Sequence, residues 1–177
     1  MSTVTVGSSL PHTVDVFKLA ARGTDLSGQF SAKDLARLNE AVLTVRGGID
    51  VEVQFFVGDE GFIEVTGAVL GQVGLSCQRC LGEVHHELRG KFALGVVREE
   101  AEIAALPRRL DPWLLEAESA DLRSLVEDEL LLNLPIVAMH SRVECEPIAG
   151  FSFDNETVEE EPAESPFQML EQLKKEF

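Results

Sequence analysis

Apolar and polar residues alternate over residues 49–57. Ile49, Val51, Val53, Phe55 and Val57 are spaced by Asp50, Glu52, Gln54 and Phe56. A period of two predicts a half-buried strand. Gly58-Asp59-Glu60-Gly61 then reads as a hairpin loop. A return strand is expected from about Phe62 to Leu75. Its glycines, Gly67, Gly71 and Gly74, predict bulges or a strongly curved sheet. A third strand is expected over about Val84 to Val97. The stretch Cys77-Gln78-Arg79-Cys80-Leu81-Gly82 therefore falls in the turn between two strands.

Helical spacing is seen elsewhere. Ser31 reads as the cap of a short helix, Ala32 to Leu43, with Leu35, Leu38 and Val42 three and four apart. A stronger helix is predicted over Asp121 to Leu132, capped by Ser119 or Asp121. Leu122, Leu125, Val126, Glu129 and Leu130 lie along one side, which could bury Glu129. Pro135 closes it, because the residue before a proline disfavours helical geometry. Leu134 to Met139 is then extended and apolar. Residues 10–30 are mixed, and Val14, Val16 and Leu19 suggest a short edge strand. Residues 99–118 are irregular, with Pro107 and Pro112, and are expected to wrap over the sheet with Trp113 as a packing anchor.

These elements predict an α+β fold: a curved, mainly antiparallel β-sheet with packed helices, occupying residues 1–150 as one domain. Residues 151–164 read as an acidic linker, since Asp154 to Glu164 holds six acids and no base. Residues 165–177 read as a C-terminal amphipathic helix. Ser165-Pro166 starts it, and Phe167, Leu170, Leu173 and Phe177 line one face. So short a helix is marginal alone and must dock, on its own domain or in a partner's groove.

Composition narrows the functional classes. The chain has 177 residues, 45% of them hydrophobic, enough for one domain with a real core. No stretch approaches the roughly 20 apolar residues of a membrane helix. Met1 to Pro11 has neither the basic flank nor the apolar run of a secretion signal. A soluble, cytoplasmic protein is expected. Fifteen Lys and Arg against 31 Asp and Glu give a net charge of −16. Phosphate recognition draws on clustered positive charge, so such a chain repels RNA unless a basic patch is segregated. A basic surface is the more natural partner. Alternatively, the acid simply confers solubility.

Three cysteines, Cys77, Cys80 and Cys145, do not suggest a disulfide framework. Zinc favours thiolate and imidazole ligands, and Cys-x-x-Cys in a turn supplies two from one compact loop. Cys77, Cys80, His140 and Cys145 would complete a closed structural zinc site. His85 and His86 compete for the imidazole place. The thiols could equally be ordinary reduced cysteines or, less simply, a redox dithiol. Catalytic signatures are absent: there is no Gly-x-Ser-x-Gly, no phosphate-cradling glycine loop and no His-Glu-x-x-His. Glu127, Asp128 and Glu129 are consecutive on a helix and point in different directions, so they form no carboxylate pair. No catalytic residue is assigned.

Three blocks resemble one family. They are Cys77-Gln78-Arg79-Cys80-Leu81; Asp121-Leu122 and Leu125 through Pro135, with Met139-His140 and Cys145; and Ser165-Pro166-Phe167 through Lys175. Together they are similar to the YceD family of large ribosomal RNA subunit accumulation proteins. The resemblance implies a role in synthesis, processing or stability of large-subunit (23S) ribosomal RNA and implies no known catalytic activity, so a non-enzymatic ribosome-biogenesis factor is expected. Some relatives carry further cysteines after the proline segment, where this chain has His140 and Cys145. Ser165 stands where the family usually has Asn, and both residues cap helices well.

Within that resemblance, the acidic body suits basic ribosomal or ribosome-assembly proteins, with the terminal helix as a further contact. A second reading is direct RNA binding through Arg79, Arg89, Lys91 and Arg98 near the cysteine turn. A third is a metal-dependent RNA-processing hydrolase using Glu127 or Asp128.

Overall fold

A computed structural model describes residues 9–145. The expected linker and terminal helix, with Phe167, Leu170, Leu173 and Phe177, lie outside the described residues. The described part is α+β, as the sequence predicts. In chain order it runs β1 (Thr13–Asp15), α1 (Val16–Arg22), β2 (Thr24–Ser31), a 3-10 turn (Ala32–Asp34), α2 (Ala36–Ala41), β3 (Thr44–Val57), β4 (Ile63–Ser76), β5 (Glu83–Val97), a 3-10 segment (Glu100–Ala105), β6 (Asp111–Leu114), β7 (Ser119–Asp121) and α3 (Leu122–Leu132).

Five strands form one sheet in the order β2-β3-β4-β5-β6. The first four are antiparallel, and β6 runs parallel to β5. β1 and β7 form a separate two-stranded pair, Val14 facing Ala120. The alternation in β3 turns Ile49, Val51, Val53 and Phe55 to the core, where they are at most 1% exposed. Val65, Val69 and Val73 of β4 and Leu88, Phe92 and Val96 of β5 share that face. Val16 and Ala20 of α1, Leu38 of α2, and Leu122, Val126 and Leu130 of α3 complete the core. On the opposite face of the sheet, Asp50, Glu52, Gln54, Gln72, Glu87, Arg89 and Lys91 are exposed.

Glycines mark where the sheet needs room. A Cβ on Gly67 would meet the Phe92 ring and lie 2.6 Å from the Glu52 carbonyl oxygen. Gly47, at φ 73°, sits in the register shift between Arg46 and Asp50, and this bulge lets β3 begin at Thr44, upstream of the alternating run.

Several boundaries differ from expectation. Val16 and Leu19 are helical, and only Val14 of that trio is in a strand. Asp15 caps α1 by accepting the Lys18 N–H at 3.0 Å, and Gly23 at φ 59° ends it. The helix expected over Ala32 to Leu43 is split. Leu35, at φ −115° and ψ 72°, divides a 3-10 turn from α2. Ser31 does sit at the start, its backbone N–H and hydroxyl both donating to Asp34 Oδ2. β2 goes unanticipated, because its inward set is Leu26, Gly28 and Phe30, with a glycine at the centre.

Of residues 99–118, expected to be irregular and to wrap over the sheet, those up to Leu110 pack on its outer face, whereas Asp111–Leu114 instead join the sheet as its edge strand β6. Leu106 and Leu110 pack on Gly95, and Leu110 is buried. Arg109 of this segment grips Glu64 with two hydrogen bonds, 2.6 and 2.7 Å. Glu64 is 2% exposed. Trp113 is half-buried against the core opposite Val96, while Pro112 is tolerated because β6 is an edge strand.

Candidate metal centre

The β4–β5 hairpin ends in a tight knuckle. Ser76 pairs with Glu83, which leaves residues 77–82 to turn the chain. Cys77 N–H donates to the Gly82 carbonyl at 2.8 Å, and Leu81 N–H donates to the Cys77 carbonyl at 2.9 Å. Leu81 takes φ 62°, the left-handed region, to complete the turn.

The second half arrives after α3. The extended segment beyond Pro135 runs past the knuckle, with Gln78 N–H donating to the Ala138 carbonyl at 2.9 Å. Gln78 Nε2 donates to the Ile136 carbonyl at 3.2 Å. A short turn then closes on itself, Cys145 N–H donating to the Ser141 carbonyl at 3.1 Å.

Four side chains meet there. One ligand atom from each of Cys77, Cys80, His140 and Cys145 lies within 4.8 Å of all the others. Cys77 Sγ is 4.0 Å from Cys145 Sγ, and Cys80 Sγ is 3.3 Å from His140 Nδ1. A tetrahedral ion with Zn–S bonds of about 2.3 Å sets its sulfurs about 3.8 Å apart, close to the Cys77–Cys145 spacing. His140 Nε2 donates to the Glu83 carbonyl at 2.9 Å, which fixes the tautomer and leaves the Nδ1 lone pair for a ligand. All three cysteines are free thiols. His85 is exposed beside Glu83 at 3.9 Å and His86 is also exposed, so neither joins the set.

Backbone N–H groups favour the thiolate form of one sulfur. The N–H of Cys80 acts most strongly on Cys77, joined against burial by those of His140 and Arg79, and its pKa falls to about 5. Gly82 N–H pulls Cys80 the same way, but burial and the Cys145 and Cys77 thiols outweigh it and hold Cys80 above the usual thiol value. The Cys77 sulfur and then the Glu83 carbonyl raise His140. Three sulfurs and an imidazole fit a closed tetrahedral zinc site with no position left for substrate.

A profile described as "Large ribosomal RNA subunit accumulation protein YceD" matches residues 65–174, which include the whole knuckle. The chain belongs to the YceD family. A YceD relative, the large ribosomal RNA subunit accumulation protein of Haemophilus influenzae, is 36% identical over 169 residues, covering 93% of this chain and 96% of that protein. No solved structure matches the chain significantly. The YceD name specifies ribosomal RNA accumulation and states no reaction.

The other candidate residues are dispersed. Arg79 is folded into the knuckle, its Nε 2.9 Å from Cys145 Sγ. Arg89 pairs with Glu87 on the outer sheet face, which Lys91 shares. Arg98 lies beyond the far end of β5, its guanidinium 4.4 Å over the Phe17 ring. Glu127 is 6% exposed and Asp128 pairs with Arg37, so both carboxylates are committed to α2. Glu129, expected on the apolar side, is only half-buried and accepts from the Asn133 side chain at 2.8 Å. Sequence spacing found the four candidate ligands but missed the part Arg79 plays among them, since a guanidinium between two cysteines reads first as a phosphate contact.

Proposed function

We propose that this YceD protein is a non-enzymatic, cytoplasmic ribosome-biogenesis factor that supports large-subunit ribosomal RNA by docking a basic protein partner, its knuckle closed by zinc. The observation that carries this reading is the disposition of charge. The chain stands at −16, and at least five of its fifteen Lys and Arg side chains are already paired with its own acids. Arg37 is held by Asp128 and Glu127, Arg109 by Glu64, Arg123 by Asp121, Arg89 by Glu87 and Lys18 by Asp15. What remains is an acidic surface suited to a basic protein rather than to phosphates. Among the described residues no helix is long and apolar enough to cross a membrane. Zinc in this reading is structural, joining the hairpin to the segment after α3.

Direct RNA contact takes second place. Arg79, Arg89, Lys91 and Arg98 form no single patch, and Arg79 is turned inward. The deciding experiment is affinity purification from native lysate, split into nuclease-treated and untreated halves. Basic ribosomal or assembly proteins retained after nuclease are the expected result. Loss of every partner with the RNA overturns the reading in favour of direct RNA binding.

A further inference from the structure

A filled Cys77/Cys80/His140/Cys145 centre does not balance its own charge. Three thiolates contribute −3, a neutral imidazole nothing and a zinc ion +2, leaving −1 in a partly buried place. Such a charge requires a partner. The knuckle supplies one from between its own cysteines. Arg79 folds back across the site, and its Nε donates to Cys145 Sγ at 2.9 Å. Its Nη2 donates to the carbonyls of His140 and Ser141, both at 3.3 Å. The side chain is half-buried, and among the described residues it makes no ion pair with a carboxylate. Its fixed charge therefore faces sulfur and the backbone that carries the two distal ligands.

We propose that Arg79 is the charge-balancing and positioning residue of the metal centre. It reaches from the hairpin half of the site to the distal half, neutralises the surplus charge and withdraws electron density from the Cys145 thiolate. A planar guanidinium suits this task, because one donor can meet the sulfur while another meets the two carbonyls. The inference rests on the zinc reading given above and goes beyond it, in that it gives Arg79 a role at the centre rather than at a nucleic acid.

The test uses full-length wild type, Arg79→Met and Arg79→Lys, purified under reducing conditions and loaded with zinc. Zinc affinity is measured against a chromophoric chelator. Alkylation of each cysteine by N-ethylmaleimide is followed by mass spectrometry. Arg79→Met should weaken zinc binding about ten-fold or more, the usual effect of losing a partner that orients a ligand. It should also speed alkylation of Cys145 selectively over Cys80. Arg79→Lys keeps the charge and should recover part of both. Unchanged affinity and unchanged Cys145 reactivity in Arg79→Met would overturn the proposal. So would equal acceleration at all three cysteines, which marks a residue that only fastens the turn. Wild type that holds no zinc while remaining folded refutes the zinc reading itself, and the role of Arg79 falls with it.

Discussion

Glu127 caps a helix from far earlier in the chain: its Oε1 accepts the backbone N–H of Arg37, 90 residues before it, at 2.8 Å. The same oxygen takes the Leu38 N–H at 3.3 Å, and Oε2 lies 3.6 Å from Arg37 Nε. A 3-10 turn has just ended at Leu35, so α2 starts with unpaired donors, and a carboxylate from α3 supplies the acceptor. Glu127→Ala leaves the buried Leu38 N–H and the part-buried Arg37 N–H without this acceptor and should cost about 2 kcal/mol. Glu127→Gln keeps an acceptor and should cost about half as much. Urea unfolding of both variants measures this. A null effect of the alanine change would mean the cap carries no stability.

Glu64 makes a prediction about pH. The Arg109 guanidinium holds its carboxyl below the usual carboxylate value, against the opposing effect of burial. A folded pKa below the unfolded one gives stability that is fully present above about pH 4.3 and is lost as pH falls through the folded value. Glu64→Gln should therefore destabilise by about 2 kcal/mol at neutral pH, discounted because the Arg109 side chain is 53% exposed. The gap between variant and wild type should narrow as pH drops below about 4. Thermal melts between pH 3 and pH 7, on the order of every half unit, follow that convergence.

Gly67 tests the curvature of the sheet. A methyl group there presses on the Phe92 ring and the Glu52 carbonyl, neither of which can simply swing aside. Gly67→Ala should cost about 2 kcal/mol, by overpacking. Denaturant midpoints check it, and stability equal to wild type would show that β3 and β5 yield easily.

Leu81 tests the knuckle turn. Its side chain is 69% exposed and its φ is 62°. Leu81→Gly removes left-handed strain at little packing cost, and should stabilise the protein by about 0.5–1 kcal/mol. A loss of stability on calorimetry would show that the leucine packs in a way its exposure hides.

Chelation tests the centre as a whole. Stripping metal should free residues 77–82 from 138–145 and expose both to limited proteolysis, while the sheet core stays protected. Equal protection before and after the chelator would leave the knuckle standing without an ion.

The long central strands were legible because alternation is a strong local signal, and β3, β4 and β5 sit within a few residues of where the pattern puts them, apart from the bulged start of β3. α3 was legible for the same reason, with Asp121 at its cap. β2 was not, because Gly28 interrupts the apolar set and the strand depends on β3 for pairing. α1 was hidden by reading Val14 and Val16 together, although Asp15 and Gly23 carried the capping signal. Glu127 and Glu129 could not be ranked from helical spacing alone, since what buries Glu127 is the start of another helix. At the centre, ligand types and spacing pointed to all four side chains. Three-dimensional placement keeps His140 in that set and leaves out its competitors His85 and His86.

The two halves of the centre are made at different times. Cys77 and Cys80 precede His140 by about sixty residues, and α3 lies between. The site cannot close until that helix has been synthesised and has folded back over Gly90 of β5. A chain ending before residue 140 would carry the long central strands and Cys77 and Cys80, but neither His140 nor Cys145. In sequence order, the hairpin half of the centre thus comes first and the half after α3 completes it.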